Sequence, residues 1–316
     1  MQINGIDLDG LAAHAPKVHL PDPVAGRVVH IDADFLAYQC SAEGKGEQKS
    51  WEDMKHNAGI AVNTLKLLAG ATDLVLHLTP AGSDKGGRYE LAIQKEYQGN
   101  RKDKEKPRYL HLMRDWLAEA YPSIQHTDCE ADDGMSSHQY EAIAAGRRDL
   151  SIIASKDKDL RMVPGLQMDW DTADIGTAED DLGRPNDYGS IYLDDSKKTK
   201  KIKGLGQKFF WGQMLTGDTA DNIQGLPKAW YDGKFKPCGP VLAESLLIGI
   251  NSNKDAFEFV KGLYEKYGQD IGYKHWKTGE AVAWQKVFVS EAQLLWMRKV
   301  RGDHLDVVRW FKEITR

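Results

Sequence analysis

Residues 27–32 read RVVHID, an apolar run rich in β-branched side chains that ends on an acidic one. A run this short, lacking helical spacing, predicts a buried strand with Asp32 at its carboxyl end. The same signature recurs along the chain. DLVLHLT at 73–79 predicts a second strand that stops at Pro80 and Gly82, with Asp84 just beyond. LSIIA at 150–154 predicts a third, followed at once by Ser155, Asp157 and Asp159. Shorter strands are expected at 124–128 and 166–170. Helical spacing covers 51–69, 109–120 and 131–146, and the last of these follows Glu130 and carries Asp132 and Asp133 in its first turn. Acidic residues suit a helix N-terminus for dipole reasons alone, so position must separate a site from a cap. Strands alternating with helices imply an α/β fold, a mostly parallel central sheet flanked by helices. Sites in such sheets form beyond the carboxyl ends of the strands. Asp32, Asp84, the Glu130 group and the Asp157 pair all follow expected strand ends, so the fold would gather them on one rim.

Outward from this frame the chain changes character. Residues 1–26 form a proline-marked N-terminal extension (Pro16, Pro21, Pro23), and 27–185 the strand-and-helix region. Within it, 83–108 is polar and glycine-bearing, with Lys85, Arg88, Lys95, Arg101, Lys102, Lys104, Lys106 and Arg108 interleaved with Tyr89 and Tyr97. From about 186 to 316 the pattern is mostly helical, without a strong strand, and is opened by Lys197, Lys198, Lys200, Lys201, Lys203 and Lys208. This part is expected to pack against the sheet as a second, helical region.

The chain has 316 residues, 41% hydrophobic and 28% charged, enough to bury a sizeable core. Its net charge of −5 argues mildly against a nucleic-acid partner. The two basic runs reverse that, because they could track phosphates electrostatically while metal ligands account for much of the acidic excess. Cys40, Cys129 and Cys238 are odd in number and lack C-x-x-C spacing, which excludes a disulfide framework or zinc knuckle and favours a reducing compartment. No run is long enough to span a bilayer, and the first residues do not read as a leader. A cytoplasmic protein without membrane contact is expected, in the host cytoplasm if the source is a phage. No Ser-His-Asp arrangement or nucleophile elbow points to covalent catalysis. His30 and His77, within apolar strands, read as satisfied core residues, and Trp276, Trp284, Trp296 and Trp310 as packing groups.

Carboxylate oxygens without His or thiolate partners select hard cations such as Mg²⁺ or Mn²⁺. Asp157 and Asp159, two apart, share one side of an extended segment; Asp218 and Asp221, three apart, share a helix face. Two ions held by such a set suit in-line displacement at phosphorus, so metal-dependent phosphodiester hydrolysis is the natural reaction class.

The segments His30-Ile31-Asp32-Ala33-Asp34, Tyr97-Gln98-Gly99-Asn100-Arg101, Glu130-Ala131-Asp132-Asp133, Ser155-Lys156-Asp157-Lys158-Asp159 and Gly217-Asp218-Thr219-Ala220-Asp221-Asn222-Ile223 resemble, in this order, those of the flap endonuclease family. The bacteriophage 5′-3′ exonuclease branch of that PIN-like, 5′ nuclease family is the most similar. The resemblance runs from about residue 27 to 250. It implies a 5′-3′ exonuclease and structure-specific flap endonuclease, acting on DNA 5′ ends, flaps and duplex junctions, and on RNA-DNA hybrids in replication, as a monomer. It implies one metal held by Asp32, Asp84, Glu130, Asp132 and Asp133, and a second held or influenced by Asp157, Asp159, Asp218 and Asp221. By the same resemblance, 83–108 forms a helical arch or gateway where Lys85, Tyr97, Gln98 and Arg101 meet DNA, Tyr97 by stacking on a base. Gly225-Leu226-Pro227 and Cys238-Gly239-Pro240 resemble two halves of a helix-hairpin-helix-like turn within 217–249. There Gly225 and Gly239 would offer amides to duplex phosphates and a K⁺ ion could bind.

Three departures stand out. Gln98 occupies the place of a lysine that steadies the phosphate, leaving Arg88, Lys95 or Lys102 to substitute catalytically. The arginine expected before Tyr97 is missing at its usual spacing, with Arg88 an approximate candidate. Residues 228–237 interrupt the glycine turn and either add contacts through Lys228, Trp230, Lys234 and Lys236 or disorder it. A PIN-type ribonuclease and a catalytically inactive structure-specific DNA-binding protein stand as alternatives.

Overall fold

The computed structural model describes residues 20–44, 48–102, 105–196 and 198–316, with the backbone of two two-residue strands, β1 (Gln2–Ile3) and β2 (Ile6–Asp7). Lys104, Lys197 and most of the N-terminal extension lie outside the described residues.

The apolar run around RVVHID forms β3 (Val24–Asp32), the centre of a six-stranded sheet. Its neighbours are β4 (Ala71–Leu78) on one side and β6 (Ser151–Ala154) on the other. Beyond β4 lies β5 (Ser123–Gln125); beyond β6 lie β7 (Leu166–Met168) and β8 (Ile175–Gly176). All pairings are parallel except the last, where β8 runs antiparallel to β7. The register sets His30 between Val75 and Ile153. From β3 the chain adds strands first to one side and then to the other. The sheet therefore has its switch point between β3 and β6, where a crevice opens beyond the carboxyl ends.

Helices cover both faces, and two apolar cores result. On one face α1 (Ala33–Ser41), α2 (Trp51–Leu68) and α4 (Leu110–Ala120) bury Leu36, Met54, Val62, Met113 and Leu117 against Val29, Ile31 and Leu76. Asp32 and Ser50 cap α1 and α2 by accepting amides at Phe35 and Asp53. The other core joins Ile153 of the sheet and Met135 of α5 (Ala131–Ala144) to the C-terminal helices. These are α6 (Gln207–Thr216), α7 (Pro240–Leu247), α8 (Asn253–Asp270), α9 (Trp284–Leu295) and α10 (Asp306–Ile314). Its centre is aromatic: Trp296 stacks on Trp310 at 4.2 Å between centroids, and Phe210 meets Trp296 edge-on at 5.0 Å.

The C-terminal half carries strands that its composition did not announce. β9 (Ser190–Asp194) and β10 (Lys201–Leu205) pair antiparallel, so Lys201 and Lys203 of the lysine-rich opening lie on a β-hairpin, while Lys208 falls in the helix that follows. Residues 228–237 form a second, β11 (Lys228–Tyr231) and β12 (Lys234–Pro237), inserted between α6 and α7. The insertion thus extends the glycine turn as an ordered hairpin rather than disordering it. A third, β13 (Tyr273–Lys274) with β14 (Ala281–Val282), precedes α9. Among the described residues no helix is long and apolar enough to cross a membrane.

Candidate metal centre

Beyond the ends of β3 and β6 lies a cavity of about 600 Å³, lined by Asp32, Glu130, Asp132, Asp157 and Asp221 together with Asp34 and a ring of cations. Asp32, buried at the end of β3, accepts Phe35 N–H at 2.9 Å on one oxygen and Ser155 Oγ–H at 2.9 Å on the other. Burial, reinforced by Asp34 and Asp157, pushes its carboxyl up to about 7. Asp132 makes no hydrogen bond or ion pair among the described residues, and burial with Asp157, Asp32 and Glu130 around it raises its carboxyl strongly. Asp157 is raised for the same reasons, burial first, although the Asp159 amide and Lys158 oppose the shift. These three carboxylates repel one another, as the upward shifts of Asp32, Asp132 and Asp157 record, and none of them forms an ion pair among the described residues.

Deeper in the same crevice Asp159, Asp218 and Asp221 each offer an oxygen within 4.8 Å of the others. They arrive from separate elements. Asp159 follows β6 in a 3₁₀ turn, Lys158–Met162, capped by Asp157. Asp218 and Asp221 follow α6 in a tight loop closed by hydrogen bonds in both directions between Asp218 and Ile223. Asp218 is 1% exposed, and its Oδ2 has no partner. Burial pushes Asp221 up to about 6 against the pull of Arg101. A buried, unpartnered oxygen beside two further carboxylates, with no nitrogen or sulfur donor in the set, fits a hard divalent cation.

The segment from 83 to 102 packs down onto this centre. Its described residues hold 3₁₀ turns at Lys85–Gly87 and Gly99–Arg101 and a single-turn helix, α3 (Arg88–Leu91), rather than a long arch helix. It is strapped to the Asp218–Asn222 loop: Gln98 N–H donates to Asp221 O, Asn222 Nδ2 to Glu96 O, and Arg101 Nε to Ala220 O. Gln98, in the left-handed region at φ 52°, turns its amide to Asp221 Oδ1 at 3.0 Å, where Arg101 also reaches at 2.5 Å. Lys85 lines the cavity with Nζ 3.4 Å from Glu130 Oε1.

Several expected site residues fall elsewhere. Asp133 is the next residue to Asp132 on α5 and therefore points about 100° away around the helix. Both its oxygens are taken by Arg88, at 2.6 and 2.9 Å. Burial alone would raise its carboxyl, but the Arg88 and Arg298 guanidiniums hold it below the usual range. It is an anchor and not a free ligand. Arg88 is correspondingly buried, bonded also to Glu130 and to the Leu294 and Trp296 carbonyls, and cannot turn to a phosphate. Asp84 is exposed and caps its own turn through Gly86 N–H, outside the cavity lining. Lys95 is exposed and Lys102 pairs with Glu96 at 2.6 Å; neither lines the cavity. Tyr97 is 2% exposed and donates its hydroxyl to Glu130 Oε2 at 2.8 Å, so its ring is not offered to a base. Gly225, at φ +66°, donates its amide to the buried Glu291 and accepts from Gln94 Nε2, which turns both groups inward instead of towards DNA or an ion. Gly239 bonds Pro237 O at 3.1 Å and leads into α7 with Pro240 in its first turn.

The cavity also holds residues that sequence reading left unassigned, Lys156, Lys158, Arg161 and Arg114; Lys201 and Lys203, from the second basic run, complete the cationic ring. The Ser-Lys-Asp-Lys-Asp spacing could have flagged the first two, since residues flanking ligands two apart share their turn. Away from the site, four of the scattered histidines assemble. His30 Nδ1 meets His77 Nε2 at 2.9 Å, His77 Nδ1 meets His126 Nε2 at 2.9 Å, and His138 stacks on His30.

No family model matches the chain, and none of the curated proteins compared with it does. Solved structures do. A crystal structure of the T5 D15 protein with metal ions aligns with a TM-score of 0.54 at 13% identity, over 92% of this chain and 97% of that one. A complex of the bacteriophage T5 D15 flap endonuclease with DNA and metal ions aligns with a TM-score of 0.51 at 14% identity, over 91% of this chain and 90% of that one. At such identities the likeness is one of architecture, and by that architecture this chain has the 5′ nuclease fold.

Proposed function

We propose that this protein is a divalent-cation-dependent 5′ nuclease that hydrolyses phosphodiester bonds in DNA at 5′ ends, flaps and duplex junctions. RNA in RNA-DNA hybrids is a further substrate on this reading. The observation that carries it is the meeting of Asp32, Glu130, Asp132, Asp157, Asp159, Asp218 and Asp221, from separated segments, beside one cationic cavity. Asp32, Glu130, Asp132 and Asp157 would hold one Mg²⁺ or Mn²⁺, and Asp159, Asp218 and Asp221 a second. Bound there, such ions would neutralise phosphate charge and activate water.

The chain's own residues do the rest. Lys85, Arg161, Lys201 and Lys203 line the cavity with the carboxylates and offer positive charge to a phosphate backbone. Tyr97 and Arg88 fix Glu130, while Gln98 and Arg101 fix Asp221, so the ligands are oriented before substrate enters. Gln98 therefore serves as a positioning group where the resemblance expected a phosphate-binding lysine, and Lys85 supplies the cation. The fold shared with the T5 flap endonuclease complexed with DNA and metal ions supports the same reading.

The test is digestion of a 5′-labelled flap, a nicked duplex, an RNA-DNA hybrid and single-stranded RNA, with and without Mg²⁺ or Mn²⁺. Metal-dependent release of short 5′ products from the flap is expected. Intact DNA after long incubation with metal, or preference for single-stranded RNA, would overturn the assignment.

A further inference from the structure

Lys158 stands between Asp157 and Asp159 in sequence, and its ammonium lies 2.9 Å from Asp159 Oδ1 and 2.9 Å from Asp218 Oδ1. Those carboxylates are two of the three whose oxygens gather within 4.8 Å. A positive charge of the protein's own therefore bridges the position assigned above to the second divalent ion. It does not saturate that position. Asp218, 1% exposed, keeps Oδ2 without a partner, and Gln213 keeps a buried Oε1 unpartnered while its amide group donates to Asp159. Lys158 on Asp159 and Asp218, with Arg101 on Asp221, sets two positive charges against three carboxylates and leaves part of the oxygen set unused.

The lysine also has somewhere to go. Its side chain is 40% exposed and lines the cavity, so the ammonium can leave the carboxylates without passing through packed core. Two opposite charges at hydrogen-bond distance in a half-buried site attract strongly, and a cation entering between the same oxygens must displace or repel the first.

We infer that Lys158 is a tethered counter-cation that competes with a divalent ion for the Asp159–Asp218–Asp221 site and keeps that site weak in the free protein. The inference rests on the metal-centre reading above and adds an asymmetry to it. In the group around Asp32 and Asp132 the ammonium of Lys85 touches only Glu130, at 3.4 Å, and bridges no two ligands, so this group fills first; the group around Asp218 fills at higher metal concentration.

The experiment is Mn²⁺ titration of the intact protein without nucleic acid, at neutral pH, followed by the electron paramagnetic resonance of free Mn²⁺. The wild type should bind one ion tightly and a second more weakly. Lys158→Met and Lys158→Gln, which remove the charge with and without retaining polarity, should tighten the second site on the order of tenfold or more. Lys158→Arg, which keeps the charge, should leave it weak, and adding Asp218→Asn to Lys158→Met should abolish the gain. Equal second-site affinity in wild type and Lys158→Met, or equal tightening by the arginine variant, would sink the inference and leave the metal centre standing. Absence of Mn²⁺ binding in both proteins would instead overturn the metal centre itself.

Discussion

Arg88 and Asp133 are joined by two parallel hydrogen bonds, Nη1 to Oδ2 at 2.6 Å and Nη2 to Oδ1 at 2.9 Å, with both side chains shut off from solvent. The pair fastens the basic segment to the N-terminus of α5, and Arg298 N–H adds a third bond to Asp133 at 3.2 Å. Arg88 Nη1 also holds Glu130 Oε2 at 3.0 Å, so one guanidinium serves both the packing of the segment and the aim of a cavity carboxylate.

Removing one partner of such a pair leaves a buried charge uncompensated. Arg88→Met is expected to cost about 3–5 kcal/mol of stability, read as a lowered urea midpoint. An unfolding midpoint within error of wild type would refute the anchoring role.

Asp132 differs from its neighbour in having no internal partner among the described residues. Asp132→Asn should therefore fold normally and lower cleavage of a 5′-flapped DNA by about 10²–10³-fold, while filter binding to the same DNA is retained. Wild-type cleavage rates in this variant would contradict the proposed site.

Cavity position separates the lysines of the basic segment. Lys85 lines the cavity with its ammonium 3.4 Å from Glu130, whereas Lys95 and Lys102 lie outside it. Lys85→Ala should lower single-turnover cleavage by about 10²-fold. Lys95→Ala and Lys102→Ala should change it little, and the reverse ranking would overturn the assignment of Lys85.

The histidine chain predicts a pH effect with a definite sign. Burial, with His138 beside it, lowers His30 to about 3, and burial, with Arg301 nearby, lowers His126 to about 4. His77 between them is lowered well below its ordinary value by burial and then by its imidazole neighbours. An unfolded histidine binds a proton near pH 6.5, so these groups add stability above that pH and withdraw it as pH falls towards their folded values. His30 alone should withdraw about 2 kcal/mol by pH 5. Histidine ring resonances in NMR should show all three neutral down to pH 5; titration of any near 6.5 would refute the buried chain.

The parts of the site legible in sequence were those set by strand ends. Asp32 and Asp157 follow runs whose apolar content alone marks them as buried strands, and the sheet order brings those ends together. The parts that were not legible depend on direction or register. Asp132 and Asp133 are chemically identical neighbours, and only the helix rotation sends one into the cavity and the other to Arg88. Tyr97 reads as exposed because charges surround it, yet it lies beneath them on Glu130. The histidine chain needs β3, β4 and the segment after β5 in one register, which no local pattern supplies. The β9–β10 hairpin was hidden by its lysines, although Ile191, Leu193 and Ile202 carry the alternation of a strand pair.

The cavity's carboxylates hang from different cores. Asp32 ends a strand whose Val29 and Ile31 belong to the core of α1 and α2, whereas Asp159 and Asp218 are rooted beside Leu160 and Leu215 in the core of the C-terminal helices. A chain with only one core formed would lack part of this carboxylate cluster. On the proposed function, divalent-ion affinity would then act as an interlock on folding, present only when both cores are complete.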